Sequence, residues 1–309
     1  MVEQSGAGLR GLAAIVVGTA LLAGCSGGGS GDSAAGPAVT LLDRLADIDE
    51  TGAVAVDLER ARQKLGVDAA DTESALLSED PAERHFGGLA SAALGPLIGP
   101  FDTPVTTAID TSRVTAVASK GMGATTQRTT VLATDQPFSE VAEELEAEGY
   151  SRDGDVLEAP KTEQPMGIEA VSGDAEVIVV GDDAEAVRDA AEDRGDGSSG
   201  AVRELIESVD APAAAAYAPG GGCPEAIAVA DDIDDRRARV VVVTDSPQAD
   251  RFTALQGEGA YFKGLSFDEP QVDGDRITAG LSYSEDNTAA HPLMMLTGDL
   301  PPDELYDCG

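Results

Sequence analysis

The densest group of potential metal ligands in the sequence is an acidic run at residues 231–235. Its carboxylates are Asp231, Asp232, Asp234 and Asp235. Carboxylate oxygens at this density suit hard cations such as calcium. The run nevertheless lacks the central Gly and the distal Glu of a calcium-binding loop, and arginines follow at 236, 237 and 239. The sequence therefore favours a solvated turn over a metal site.

Histidine chemistry has little support in this chain. The two histidines, His85 and His291, lie on different segments, which disfavours a His-centred triad and a multi-histidine metal site. His85 is expected to be a surface residue rather than a base. The one Gly-x-Ser-x-Gly match, at residues 24–28, has no strand before it, and the sequence contains no phosphate-binding loop. We therefore predict no catalytic residue, no cofactor and no enzymatic activity.

Two Thr-Asp pairs occupy equivalent places, each at the end of an apolar stretch. They are Thr134-Asp135 and Thr244-Asp245. Such pairs could line a ligand cleft, but Thr and Asp are also common helix caps. Capping of the next helix is the simpler interpretation.

The first cysteine follows an apolar run. Residues 11–22 are almost entirely apolar and are shorter than the ~20 residues that a bilayer span needs. The four residues that close the run, Leu22-Ala23-Gly24-Cys25, resemble the lipobox of prokaryotic lipoproteins. The resemblance implies a signal peptide over residues 1–24 and a diacylglycerol on Cys25. It places the protein on the extracytoplasmic face of the cell membrane, held there by lipid.

Two features depart from the usual lipoprotein signal. Glu3 lies in a region that is commonly basic, and Arg10 is the only basic residue before the apolar run. An ordinary secretory signal or an uncleaved anchor helix are the alternatives. The absence of a twin-Arg pair favours the general secretion route.

The remaining cysteines, Cys223 and Cys308, form an even pair. Export to an oxidising compartment favours a disulfide between them, which would close a loop of 85 residues. Two free buried thiols are the alternative. Neither cysteine has a second Cys or a His at zinc-site spacing.

Net charge is the strongest compositional signal. Asp and Glu number 57 against 20 Lys and Arg, for a formal net charge of -37. This charge excludes nucleic acid as a partner, because no basic surface could neutralise phosphates. Self-repulsion at such a charge destabilises a compact state at low salt. A high-salt habitat is the favoured explanation, since the acids are spread along the whole chain, and binding of multivalent cations or basic partners is the alternative.

An internal similarity recurs at an offset of 110 residues. Val-Leu-Ala-Thr-Asp-Gln-Pro at 131–137 matches Val-Val-Val-Thr-Asp-Ser-Pro at 241–247, and shorter matches keep the same register. Apolar strands, a helix and further strands follow in the same order in both copies. The pattern predicts a duplicated ββαββ unit in an α+β fold, with antiparallel sheets and helices on one face.

The domain organisation follows from these features. Residues 25–38 are the lipidated cysteine and a flexible Gly/Ser-rich tether, and residues 39–100 form an N-terminal segment of helices and a strand. In that segment the pattern predicts a short helix from Leu41 to Ile48, a strand over 52–57 and a helix over 58–65 that ends at Gly66. The two repeat units span 101–195 and 196–309, with a linker at 195–200 and predicted strands that include 129–134 and 276–283.

The sequence favours a non-enzymatic binding, sensor or envelope-accessory lipoprotein. Its partners would be the membrane, through the lipid, and a protein or small-molecule ligand held in a groove between the two copies. The body resembles uncharacterised envelope lipoproteins without matching one family. A solute-binding component of a transporter and a hydrolase that uses carboxylates or a metal are the alternatives.

Overall fold

The computed structural model describes residues 36–68, 74–75, 77–98, 103–121, 127–160, 168–207, 212–231, 233, 237–251, 265–283, 293 and 306. In this part of the chain, thirteen strands form one sheet. They are β1 (Ala53–Asp57), β2 (Val114–Lys120), β3 (Thr129–Thr134), β4 (Ser151–Asp153), β5 (Val156–Glu158), β6 (Ala170–Gly173), β7 (Val177–Gly181), β8 (Ala214–Pro219), β9 (Ala226–Asp231), β10 (Arg237–Val243), β11 (Leu265–Phe267), β12 (Gln271–Asp273) and β13 (Arg276–Tyr283). The strand order is β11-β13-β10-β9-β8-β1-β2-β3-β7-β6-β5-β4, with β12 also beside β13.

Strand β1 joins the two halves of the sheet. It pairs antiparallel with β2 on one side and with β8 on the other. All five of its residues are buried, so both faces of the sheet are covered here. The predicted N-terminal segment therefore contributes the central strand between the two predicted repeats.

The helices of the described residues are mostly short. They are α1 (Pro37–Thr40), α2 (Ile48–Thr51), α3 (Leu58–Leu65), α4 (Pro81–Leu94), α5 (Pro104–Ala108), α6 (Phe138–Ala147), α7 (Ala184–Ala191) and α8 (Ser199–Glu207). Three 3-10 turns add Leu41–Arg44, Gly95–Leu97 and Thr111–Arg113. None of these helices is long and apolar enough to cross a membrane.

The α+β class and the antiparallel sheet are confirmed, but the expected placement of helices on one face is wrong. Val54 and Val56 of β1 belong to a core that includes residues of α3, α4 and α6. Ala53 and Ala55 belong to a second core, on the opposite face, that includes residues of α1, α7 and α8. Central strands built from Ala and Val are apolar on both sides, so each side must be covered.

Several predicted elements lie where local signals placed them. The structure has α3 over the predicted residues, with Asp57 capping its start and Gly66 ending it at φ +67°. The helix expected from Leu41 to Ile48 is instead divided between a 3-10 turn and α2. The predicted linker at residues 195–200 packs on the N-terminal segment, because Asp47 N donates to Asp196 Oδ2 at 3.1 Å.

The repeat is consistent with the sheet only in part. The matched sequences lie on β3 and β10, and each of these strands pairs with the hairpin partner that precedes it, β2 or β9. The later strands differ: Asp153-Gly-Asp155 joins β4 to β5, which pairs with β6, whereas Asp273-Gly-Asp275 joins β12 to β13, which pairs with β10. Duplication of the chain stays a prediction, as do the boundaries of the two units.

Candidate binding site at the seam of the sheet

A cavity lies at the end of β1, where the two halves of the sheet meet. Asp57 pairs in register with Ala116 of β2, and its amide donates to Ala213 O, just before β8, at 2.7 Å. The cavity has a volume of about 350 Å³, at the small end of ligand pockets. Its lining residues are Pro37, Asp57, Glu59, Arg60, Gln63, Thr115 and Ala116. The described lining residues of this seam cavity belong to the predicted tether, the N-terminal segment and the first predicted unit, so the groove predicted between the two copies stays a prediction.

Helix α3 positions the acidic side of the seam cavity. Asp57 leaves β1 and caps α3, with Arg60 N donating to Asp57 Oδ1 at 2.9 Å. Only 7% of Asp57 is exposed. Burial raises the pKa of its carboxyl, and the hydrogen bond from the Arg60 amide opposes that rise. The exposed Glu59 lies two residues after Asp57, and its Oε1 accepts from Gln63 Nε2 at 3.3 Å.

The opposite side of the seam cavity comes from the start of β2. The Thr115 hydroxyl donates to Ala133 O at 3.2 Å, which fixes its orientation on the sheet. Pro37 and Ala116 supply apolar surface. The charged and polar groups of the lining, Asp57, Glu59, Arg60, Gln63 and Thr115, could hold a ligand by charge and hydrogen bonds.

A second polar cluster joins residues that the sequence placed apart. Asp231, the last residue of β9, is fully buried. Its Oδ2 accepts from Tyr283 OH at 3.0 Å, and its Oδ1 accepts from Ile233 N at 2.7 Å. His85 stacks on the Tyr283 ring with centroids 5.3 Å apart, and its Nε2 lies 3.4 Å from the Tyr283 oxygen. Asp231 therefore belongs to the core rather than to a solvated turn.

Of the four weak metal candidates, only Asp231 lies in the part of the chain that the structure describes. Asp232, Asp234 and Asp235 lie outside the described residues. Among the residues that are described, no group of three or more His, Cys, Asp or Glu side chains could hold a metal ion. His85 is half-buried rather than on the surface; no sequence signal links it to Tyr283, 198 residues away. His291 is also outside the described part.

Replacement of Tyr283 tests the cluster. Tyr283→Phe keeps the ring but removes a hydrogen bond from a fully buried carboxylate, which should lower the free energy of unfolding by about 1–3 kcal/mol. Urea unfolding measures the change. Tyr217→Phe is the matched control, because Tyr217 OH bonds only the main-chain oxygen of Asp49 at 3.3 Å, and its loss should cost less. Equal losses in the two variants would contradict a special role for the Asp231 contact.

The first Thr-Asp pair, Thr134-Asp135, does not cap a helix. The N-cap of α6 is Pro137, without a side-chain cap bond. Thr134 Oγ1 instead accepts from Gln136 N at 3.1 Å and donates to Arg113 O at 3.2 Å, while Asp135 bonds Arg113. Thr244 Oγ1 accepts from Ser246 N at 3.5 Å. Both threonines are used to close turns locally, and the helix expected after Asp245 extends outside the described residues.

The sequence predicts a disulfide between Cys223 and Cys308. Cys308 lies outside the described residues, so its pairing with Cys223 stays a prediction. Cys223 and Tyr306, which is two residues before Cys308, both contact the segment that follows β10. Cys223 Sγ is 3.9 Å from Thr244 Oγ1, and Tyr306 OH donates to Ser246 O at 3.0 Å. Cys25 is also outside the described part, and its lipidation stays a prediction.

Comparison with known proteins gives distant structural likeness only. No family model and no curated protein matches the chain. The chain is similar to the protein TP0453 in three crystal forms, each at 10% sequence identity. Form I has a TM-score of 0.42, with 81% of this chain and 95% of that chain covered. Form III has a TM-score of 0.43, with 83% of this chain and 98% of that chain covered. Form IV has a TM-score of 0.39, with 77% of this chain and 91% of that chain covered.

Proposed function

We propose that this chain is a lipid-anchored extracytoplasmic protein with a non-enzymatic binding or envelope-accessory role, and that the seam cavity is its binding site. The observation that carries the proposal is the complete lipobox at residues 22–25, with a Gly/Ser-rich stretch between Cys25 and the first described helix at Pro37. Two or three acyl chains anchor firmly, since each buried CH₂ contributes about 0.8 kcal/mol.

The charge of the body makes a lipid anchor physically necessary for stable membrane attachment. A net charge of -37 is repelled by anionic headgroups, so the folded unit has no electrostatic affinity for the membrane surface. The 12 residues from Ser26 to Pro37 have an r.m.s. reach of about 20 Å if flexible. That reach holds the seam cavity, which Pro37 lines, near the membrane.

The fold supports binding over the two alternatives from the sequence. Solute-binding components of transporters usually show alternating βαβ units and an aromatic ligand cleft; here the strand pairings of the described residues are antiparallel, and no aromatic side chain lines the seam cavity. A carboxylate or metal hydrolase gains no support from the buried, hydrogen-bonded Asp231.

Replacement of Cys25 tests the anchor. Cys25→Ser should move most of the protein from the membrane fraction to the soluble extracytoplasmic fraction, because the thiol that accepts the lipid is gone. Fractionation and intact-mass measurement of the mature chain follow the change. Ser26→Ala, one residue along, should leave the fractionation unchanged. Membrane association of the Cys25→Ser chain equal to wild type, without an acyl mass on the wild-type chain, would overturn the proposal.

A further inference from the structure

We propose that the seam cavity binds a small organic cation, an ammonium or guanidinium group with a short apolar part, and that Asp57 is its counter-ion. This inference rests on the proposed function of the cavity as a binding site and adds the chemical class of the ligand.

The charges that line the cavity favour a cation. Asp57 and Glu59 bring two negative charges, and Arg60 brings one positive charge. The excess of acids across the whole chain, with a net charge of -37, adds a negative potential that raises the local concentration of cations and repels anions. An anionic ligand would have to overcome both contributions.

Asp57 is the residue that gains most from such a ligand. The residue is 7% exposed, and it lies in the cavity wall. Its described hydrogen bond, from Arg60 N, reaches Oδ1. The positive charge of Arg60 favours the ionised carboxyl of Asp57, and a ligand ammonium or guanidinium group would add a charge-assisted hydrogen bond to it.

The size and the remaining lining residues favour an organic cation over a bare metal ion. A volume of about 350 Å³ is much larger than a single ion with its ligands. The described residues offer no group of three metal-ligating side chains. Pro37 and Ala116 can contact methylene groups, and the Thr115 hydroxyl oxygen is a further acceptor for N–H groups.

The test uses simple monovalent probes, because a polyamine would bind any acidic surface. n-Butylammonium chloride and guanidinium chloride at low concentration are titrated into the full-length protein in nonionic detergent, in exchange for NaCl at constant ionic strength. Amide NMR shifts of Asp57, Arg60 and Thr115 report on the site. We expect saturable shifts at these residues, and vesicles with ethanolamine headgroups distinguish a lipid source from a free solute.

Two variants of equal charge change decide the role of Asp57. Asp57→Asn keeps a good helix cap and should weaken binding at least about tenfold. Glu143→Gln removes one exposed acid of α6, far along the chain from α3, and should leave the affinity unchanged. If Asp57→Asn fails to fold, Glu59→Gln provides the same comparison with a smaller expected loss. No saturable shift with either probe or the vesicles, or equal weakening by the site variant and Glu143→Gln, would overturn the proposal.

The two proposals can fail separately. If the chain binds the cation saturably but is not lipidated, the proposed ligand site stands and the proposed lipid anchor is wrong. A lipidated, membrane-bound chain that binds none of the probes would retain the anchor and refute the ligand class.

Discussion

When the salt concentration is lowered from about 1 M to about 10 mM, the protein is expected to lose much of its stability, with a fall in Tm of at least about 10 °C. The Debye length grows from about 3 Å to about 30 Å over this range, so repulsion between acids extends from near neighbours to the whole folded unit. The net charge of -37 makes that repulsion far larger in the folded state than in the expanded chain.

The described surface shows how little of this charge is compensated. Arginines do form ion pairs, such as Arg113 with Asp135 at 2.6 Å and Arg152 with Glu146 at 2.8 Å. On helix α6, by contrast, the exposed acids Glu143, Glu144 and Glu148 form no ion pair among the residues that the structure describes. Elsewhere the negative charge of Asp245 raises the pKa of Glu225, as expected for two neighbouring carboxylates that repel each other.

A triple variant separates charge screening from a general salt effect. Glu143→Gln, Glu144→Gln and Glu148→Gln together remove three negative charges at exposed positions. The variant should have a higher Tm than wild type at 10 mM salt, and the difference should shrink at 1 M, where both proteins are screened. Thermal unfolding followed by circular dichroism in NaCl and in KCl measures both effects.

The outcome also decides between the two explanations of the acidic composition. A gradual rise of Tm with either salt, without an effect of micromolar calcium, would support a solvated acidic surface adapted to high salt. A jump in Tm at micromolar calcium with little dependence on NaCl would contradict it, because ligand binding to the folded state stabilises that state selectively. The aspartates at 232, 234 and 235 would then become the first candidates for ligands.

Local signals in the sequence account for the parts of the fold that were predicted well. Strand β1, helix α3 and the strands β3 and β13 have the predicted identity because each is set by its own residues: an apolar stretch, a capping aspartate, or a glycine at a positive φ such as Gly66. These features need no knowledge of distant residues. The sequence also placed the Thr-Asp pairs at the ends of apolar stretches, although Thr134-Asp135 does not cap the helix that follows it.

Long-range pairing accounts for what was missed. The wall of the seam cavity depends on the pairing of β1 with β2, about 60 positions later in the chain, and neither strand carries a sequence signal that identifies its partner. The same holds for Asp231, Tyr283 and His85, which come from a strand end, another strand and a helix. The sheet has helices on both faces because its Ala- and Val-rich strands are apolar on both sides. The sequence shows this composition, but it does not indicate which helix covers which face.

Removal of the predicted disulfide is expected to be the largest single covalent effect on stability. Cys223→Ser with Cys308→Ser opens a loop of 85 residues, and the chain-entropy model gives a loss of about 4 kcal/mol in the free energy of unfolding. For a folded unit of this size, such a loss corresponds to a fall in Tm of about 10 °C. Thermal unfolding at 1 M NaCl, where charge repulsion is screened, measures it.

The structure supplies the reason to expect the bridge at this place. Tyr306 is fully buried, its hydroxyl accepts from Gln248 N and donates to Ser246 O, both at 3.0 Å, and Cys223 lies beside Thr244 of the same loop. The residue two positions before Cys308 is thus already held next to the segment that Cys223 contacts. The bridge would fasten this C-terminal contact to the hairpin of β8 and β9.

Three further measurements distinguish a disulfide from two free thiols. If the bond exists, Cys223→Ser alone, Cys308→Ser alone and reduction of the wild-type protein should each cost about as much as the double variant, because each opens the same loop. Tyr306→Phe is the control for the tail contact; it keeps the ring and loses two hydrogen bonds, for a smaller loss of about 1–2 kcal/mol. The two cysteines would be separate free thiols if reductant left the wild-type Tm unchanged and if Cys223→Ser and Cys308→Ser lowered the free energy of unfolding by different amounts. Stability would then rest on the packing of Tyr306 rather than on a covalent bridge.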